Sequence, residues 1–367
     1  MDRLLWEFDV GVDVGRLTEE IHVSISDETN IYSFSNRCKV GELSPFYSEK
    51  TLVARLDETL EARVVRRAPL AYLDAADTAD DRPDHVRAAS GICFAGDDLV
   101  VVQDDASFIA MLAPSDKARH FALPAGPGGR RRFEKRLGNK NDKLDLEAAF
   151  AFEGRVFAIG SGSLPVRERI VVFDPRAPSR TRVIDASALY ATLHADQVFS
   201  GGALNIEGAT VLGHELCLFQ RGNGDGDRLG PAMAAVDVQK FISWIDAGGD
   251  APAVTRVLRF DLGSIDGVRL GFTDACGYGG AVYFLASAEA SPNTVDDGDV
   301  AGSCVGVLRG DEARLARLLD EQGHPAPLKA EGIAIDPADP TRAFVVLDGD
   351  DPDVASDLCE VRLRGSW

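Results

Sequence analysis

The chain has 367 residues, 45% of them hydrophobic, with 39 Lys and Arg set against 59 Asp and Glu for a formal net charge of −20. A chain of this length and hydrophobic content fills one large core or two modest ones, so it is globular. The negative charge repels nucleic acid and anionic membrane surfaces and favours cations as partners.

At the N-terminus, MDRLLWEFDVGVDVG has no basic run followed by an apolar one, and no later window reaches the ~18–20 apolar residues of a membrane span. A cytoplasmic location is therefore expected. Residues 1–59 are richer in Ser, Asn, Thr and Tyr than the rest and read as an appended segment, in which EEIHVSIS and NIYSFSN suggest a hairpin. The next stretch, LEARVVRRAPLAYL at 60–73, alternates as a strand does.

From about residue 88 the chain reads as short β runs split by Gly, Asp and Pro turns. Five stretches repeat one pattern: SGICFAGDDLVVVQDD from Ser90, EAAFAFEGRVFAIGSGS from Glu147, EGATVLGHELCLFQRGN from Glu207, DACGYGGAVYFLASAE from Asp274 and EGIAIDPADPTRAFVVLDGDD from Glu331. Their starts are 57, 60, 67 and 57 residues apart, which suits a four-stranded blade with generous loops. Third and fourth strands follow as ERIVVFDP and TRVIDAS, then as PAMAAVDV and VTRVLRFDL, then as SCVGVLRG and a weaker run. Two stretches have helical periodicity, DASALYATLHADQ at 185–197 and, more strongly, DEARLARLLDEQG at 311–323.

Radial repetition of four-stranded sheets predicts an all-β fold, a β-propeller of five blades, or six if residues 1–59 complete one. The last unit ends after a third strand, so the 60–73 strand is expected to close the ring by pairing with the C-terminal blade, giving a propeller over 60–367. The cysteines Cys38, Cys93, Cys217, Cys276, Cys304 and Cys359 are widely spaced without a CxxC and read as small buried hydrophobes.

The first strand of each blade lines a propeller's channel, so Glu147, Glu207, Asp274 and Glu331 are expected to converge at one mouth, with Ser90 in the remaining blade. Alternation adds Asp145, Asn205, Lys329 and Lys143 on the same side. Antiparallel return brings the ends of the second strands beside them, at 103–105, 161–163, 220–223, 287–289 and 348–351, so that Arg221 and Asn223 are expected near Glu207, with turn formation as their alternative role. Crowded carboxylates need a compensating cation or protons, and oxygen ligands favour Ca²⁺ or Mg²⁺. The expected metal set is Glu147, Glu207, Asp274, Glu331, Asp145 and Asn205. The alternatives are that these carboxylates pair with Lys143, Lys329 and Arg221 or cap loop amides and merely fix the blades, or that they act as acid and base without a metal.

The basic loop GGRRRFEKRLGNKNDK at 128–143 leads into Asp145 and Glu147, an arrangement suited to a small anionic molecule. Its alternative is a solvated charge run. No GxSxG occurs, and the histidines lie outside the repeat positions, His214 in an exposed turn, so a serine triad is disfavoured.

The stretches KLDLEAAF, LNIEGATVLGHELCLFQRGN, FTDACGY and KAEGIAID resemble uncharacterised bacterial propellers related to the phytase-like, esterase-like group. More distantly, they resemble calcium-dependent gluconolactonase and regucalcin-type propellers, over residues 60–367. The resemblance implies a metal site at the channel end with hydrolytic possibilities. It departs from the pattern at Ala148, where other repeats carry glycine, and in showing five repeats rather than six. The expected function is metal-dependent hydrolysis of a small anionic ester, phosphoester or lactone, with Glu147 and Glu207 as ligands or base and Lys143 or Arg221 orienting the substrate. The alternative is a non-catalytic propeller that binds a ligand or a protein partner.

Overall fold

Each repeat folds as an antiparallel sheet that opens on the apolar run beginning the repeat. The computed structural model describes residues 20–26, 31–37, 51–112, 117–222, 230–290 and 298–367. The chain divides into a unit at Met1–Phe46 and a unit at Tyr47–Trp367. In the first, Glu20–Ser26 pairs antiparallel with Ile31–Arg37 as a two-stranded sheet.

Among the described residues the second unit holds four sheets, the last of them ten-stranded; its two antiparallel halves, joined where Glu312–Leu319 pairs in parallel with Glu61–Pro69, are called sheets four and five. Sheet one runs through Ala89–Ala95, Asp98–Gln103, Phe108–Leu112 and Lys117–Ala122. Sheet two is Leu146–Phe152, Arg155–Gly160, Arg169–Phe173 and Arg182–Asp185. Sheet three is Ile206–Leu212, Glu215–Gln220, Ala232–Asp237 and Val254–Asp261, with Thr51–Val53 added in parallel at its edge. Sheet four is Val268–Tyr278, Ala281–Glu289, Val300–Arg309 and Glu312–Leu319. Sheet five is Ala330–Ile335, Arg342–Leu347 and Asp357–Arg364, with Glu61–Pro69 from the chain's beginning antiparallel to Asp357–Arg364 as its fourth strand.

The first strands touch one another in the cyclic order one, two, three, four, five and back to one. The core follows this order. Five buried clusters each fill the space between two neighbouring sheets, the cluster of Ile92, Val101 and Ala110 with Ala334 and Val346 lying between the first sheet and the fifth. Alternation explains why the strands are apolar on both faces. Val100 packs towards sheet two while Val101 packs towards sheet five, so successive residues enter different cores. This is a propeller-like, mostly β architecture.

The stretch 311–323, read from its sequence as a helix, is instead the strand Glu312–Leu319. Its Ala, Leu and Arg residues favour helix, but pairing with Val300–Arg309 buries Ala313, Leu315 and Leu318, and that tertiary gain outweighs a weak propensity. The helix expected within 185–197 is present as Ser187–Ala195. A further helix, Val238–Ala247, goes unread in the sequence although Asp237 caps it by accepting from the Lys240 amide at 2.8 Å. Cys93, Cys217, Cys304 and Cys359 are buried and Cys276 is half-buried, all as free thiols; Cys38 lies outside the described residues, as does Asn223. No helix among the described residues is long and apolar enough to cross a membrane.

Candidate functional site

Every first strand carries a β-bulge at the same place. The pairing register skips between Ala89 and Gly91, Leu146 and Ala148, Ile206 and Gly208, Phe272 and Asp274, and Ala330 and Gly332. The extra residues are Ser90, Glu147, Glu207, Thr273 and Glu331. A bulge re-aims its side chain, so these five share one structural position. The residue after each bulge sits where neighbouring first strands come closest. A Cβ on Gly208 would lie 2.9 Å from the Ala275 amide nitrogen, and one on Gly332 would lie 3.1 Å from that of Ile92.

This register corrects the place read for Asp274. Thr273 occupies the bulge of sheet four and donates to the Ala330 carbonyl at 2.7 Å. Asp274 falls one residue later, among the small residues, and a one-residue slip redirects the side chain. It is 0% exposed and accepts from the Ile333 amide at 2.8 Å. Burial pushes its carboxyl well above the usual range. Asp274 thus ties first strands together from a different register position than the three glutamates, though near enough to Glu331 for that charge to raise it further.

The remaining residues expected at the mouth form ion pairs with groups arriving from the second strands. Lys143 is only 4% exposed, with its Nζ 2.5 Å from Asp104 and 2.6 Å from Asp145. Asp145 also accepts from Ser161 and, at 2.9 Å, from Arg167. In sheet three, Asn205 donates to Glu207 at 2.5 Å and Arg221 donates to the same oxygen at 3.2 Å while bridging to Glu289. In sheet five, Lys329 sits 3.4 Å from Glu331 and 2.5 Å from Asp350.

Glu147 differs from the others. It makes no hydrogen bond or ion pair among the described residues, and one of its oxygens lies within 4.8 Å of oxygens from Asp104 and Asp145. Burial, then the charges of Asp145, Glu207 and Asp104, push its carboxyl well above the usual range. Burial likewise raises Glu207 to about 7 against the pull of Arg221, and Glu331 to about 8 against Lys329 and Arg221. Asp145 is the contrast. Burial opposes its charge, yet Lys143, Arg167 and Ser161 hold it below the usual carboxylate range.

A cavity of about 240 Å³ opens beside this cluster. Lys143 and Asp104 belong to both. The loop of the basic run contributes Lys135, Arg136 and Lys140, while the turns leaving the second strands of sheets one and five contribute Asp105, Asp348, Asp350 and Asp351. His214 is exposed in a turn away from this lining, as its sequence context suggests. The residue that sequence reasoning missed is Arg167, 1% exposed and bonded to Asp145 and, at 2.7 Å, to Ser163. Its signal was an arginine in the short turn Pro165–Arg167, two residues ahead of the apolar strand Arg169–Phe173.

Fold and site together define a propeller-like protein with a buried ionic cluster at the convergence of its first strands. The chain belongs to the family described as a family of unknown function, DUF6929, whose model matches residues 85–363. No curated protein matches it. Among solved structures, it is similar to Myxococcus xanthus glutaminyl cyclase at 12% identity and a TM-score of 0.46, covering 87% of this chain and 100% of that one. It is also similar to a streptogramin B lyase at 11% identity and a TM-score of 0.38, covering 83% of this chain and 98% of that one. A β-1,3-galactosidase of the GH43 group aligns at 10% identity and a TM-score of 0.43, covering 79% of this chain and 94% of that one. Likenesses at this level carry no information about activity.

Proposed function

We propose that the five sheets are the blades of a five-bladed propeller that binds a small anionic ester, phosphoester or lactone at the cluster and hydrolyses it with the help of Ca²⁺ or Mg²⁺. The observation that carries this reading is the unpaired Glu147 carboxyl, gathered with Asp104 and Asp145 beside the cavity. All three donors are carboxylate oxygens, the chemistry of a hard cation. Asp104, Asp145 and Glu147 would hold such an ion, and the Lys143 ammonium that bridges Asp104 and Asp145 would have to give way to it.

When bound, such an ion polarises the scissile carbonyl or phosphoryl oxygen and acidifies water. The chain's own groups do the rest. Glu207, raised by burial to about 7 and bonded to Asn205 and Arg221, is the nearby group able to take or give a proton near neutral pH, although, like Arg221, it does not line the cavity. Lys143 lines the cavity and orients the anionic group. Arg221 is held by Glu207 and Glu289 and does not line the cavity, so orientation falls to Lys143.

One observation favours the second reading, a non-catalytic scaffold. Each glutamate-bearing sheet already has its own cation nearby, Lys143, Arg221 or Lys329, and fixed ion pairs need no guest. Metal analysis of the dialysed chain, followed by an ester, phosphoester and lactone panel with and without chelator, separates the two. Bound metal and turnover that chelator abolishes support the hydrolase. No metal and no turnover leave the scaffold.

A further inference from the structure

We infer that the gap between sheets five and one is a second binding site, separate from the ionic cluster, and that its ligand is a compact amine with an apolar, aryl-sized body. The first strands Ala89–Ala95 and Ala330–Ile335 carry their bulge residues, Ser90 and Glu331, at the cluster. At their other ends, where the chain turns through Gly96 and Pro337, a cavity of about 360 Å³ opens between the two sheets. That volume lies within the ~300–1,000 Å³ of small-molecule pockets.

The walls are apolar and come from both sheets. Leu99 and Leu112 are cross-strand partners in sheet one, and Leu358 lines the same space from sheet five. The rings of Phe94 and Phe344, one from each sheet, meet edge to face at 5.8 Å. A gap between apolar walls forfeits dispersion contacts, and an apolar guest restores them.

The rim decides the guest's charge. It carries Asp97, Asp336 and Glu360 against Arg66 and Arg342, an excess of one carboxylate. Arg342 lies over the Phe344 ring at 5.5 Å and donates to Asp336 at 2.6 Å and to Glu360 at 3.4 Å. Arg66 has a partner too. Asp97, on an exposed turn, makes no hydrogen bond or ion pair among the described residues. An ammonium group meets Asp97 without breaking a bond, whereas a carboxylate has to compete for an arginine already engaged.

Calorimetric titration of the full chain with 2-phenylethylamine, phenylacetate and ethylamine tests this. The arylamine is expected to saturate and to bind about fivefold more tightly than phenylacetate, with no saturable heat from ethylamine, which lacks the body. Asp97→Lys changes an exposed turn residue that the fold does not bond, and it is expected to reverse the order, making phenylacetate the tighter ligand. General attraction of amines to a chain of formal charge −20 is not reversed by one surface substitution. Phenylacetate or ethylamine binding the wild type as tightly as the arylamine overturns the inference. So does an order that Asp97→Lys leaves unchanged, or binding by none of the three.

Discussion

The Lys143 ammonium lies between Asp104 at the end of a second strand in sheet one and Asp145 at the entry of sheet two, 2.5 Å from the first and 2.6 Å from the second. One lysine therefore joins two sheets and occupies the position proposed for a divalent ion. Burying it without partners is costly, as is leaving its partners without it.

Lys143→Met removes that charge and leaves two carboxylates facing each other in a buried site. Breaking one side of a buried ion pair costs about 3–5 kcal/mol, so urea denaturation of the metal-free variant at neutral pH should show a loss of that order. Calcium, free to occupy the vacated position, is expected to restore much of it by binding only the folded state. A variant that calcium does not rescue argues that the carboxylates have a structural role alone.

The cluster also sets a pH dependence. Glu207 is raised to about 7, Glu331 to about 8 and Asp348 to about 7, in each case first by burial. The folded chain thus binds more protons than the unfolded chain above the ordinary carboxylate range. Their contribution is fully present below the unfolded pKa and is lost as pH rises through the folded values. Denaturation of the dialysed protein across about pH 5–8 should therefore show stability falling towards the alkaline end, with calcium flattening the slope. Stability rising across that window contradicts the protonation states assigned here.

Asp274 separates ring closure from ligand binding. Asp274→Ala strips the Ile333 amide of its acceptor in a site with no solvent and is expected to cost about 1–3 kcal/mol. Asp274→Asn keeps an acceptor oxygen and should remain near wild type. Calcium affinity, read by calorimetry, is expected to stay unchanged in Asp274→Asn. A large loss of affinity there returns Asp274 to the ligand set.

Much of this arrangement is legible in the sequence because its period is long and regular. Glu147, Glu207 and Glu331 each sit beside a small residue at the start of an apolar run, and the structure gives them one bulge position. Arg221 meets Glu207 because antiparallel return puts the end of one strand beside the start of its neighbour. Asp274 fails for a reason that residue spacing hides. The bulge residue there is Thr273, and an acidic neighbour attracts the eye one position late. The strand Glu312–Leu319 fails because local propensity and tertiary pairing disagree, and the pairing partner is not visible locally. Arg167 is missed because it lies outside the repeat and reaches Asp145 only through the fold.

The account stands most directly on Glu147, whose carboxyl forms no ion pair among the described residues. Calcium titrated by calorimetry into the dialysed wild-type chain and into Glu147→Gln should give saturable binding in the first and binding weaker by about tenfold or more in the second. No saturable heat in the wild type, or equal affinity in the two proteins, contradicts a cation site at this mouth.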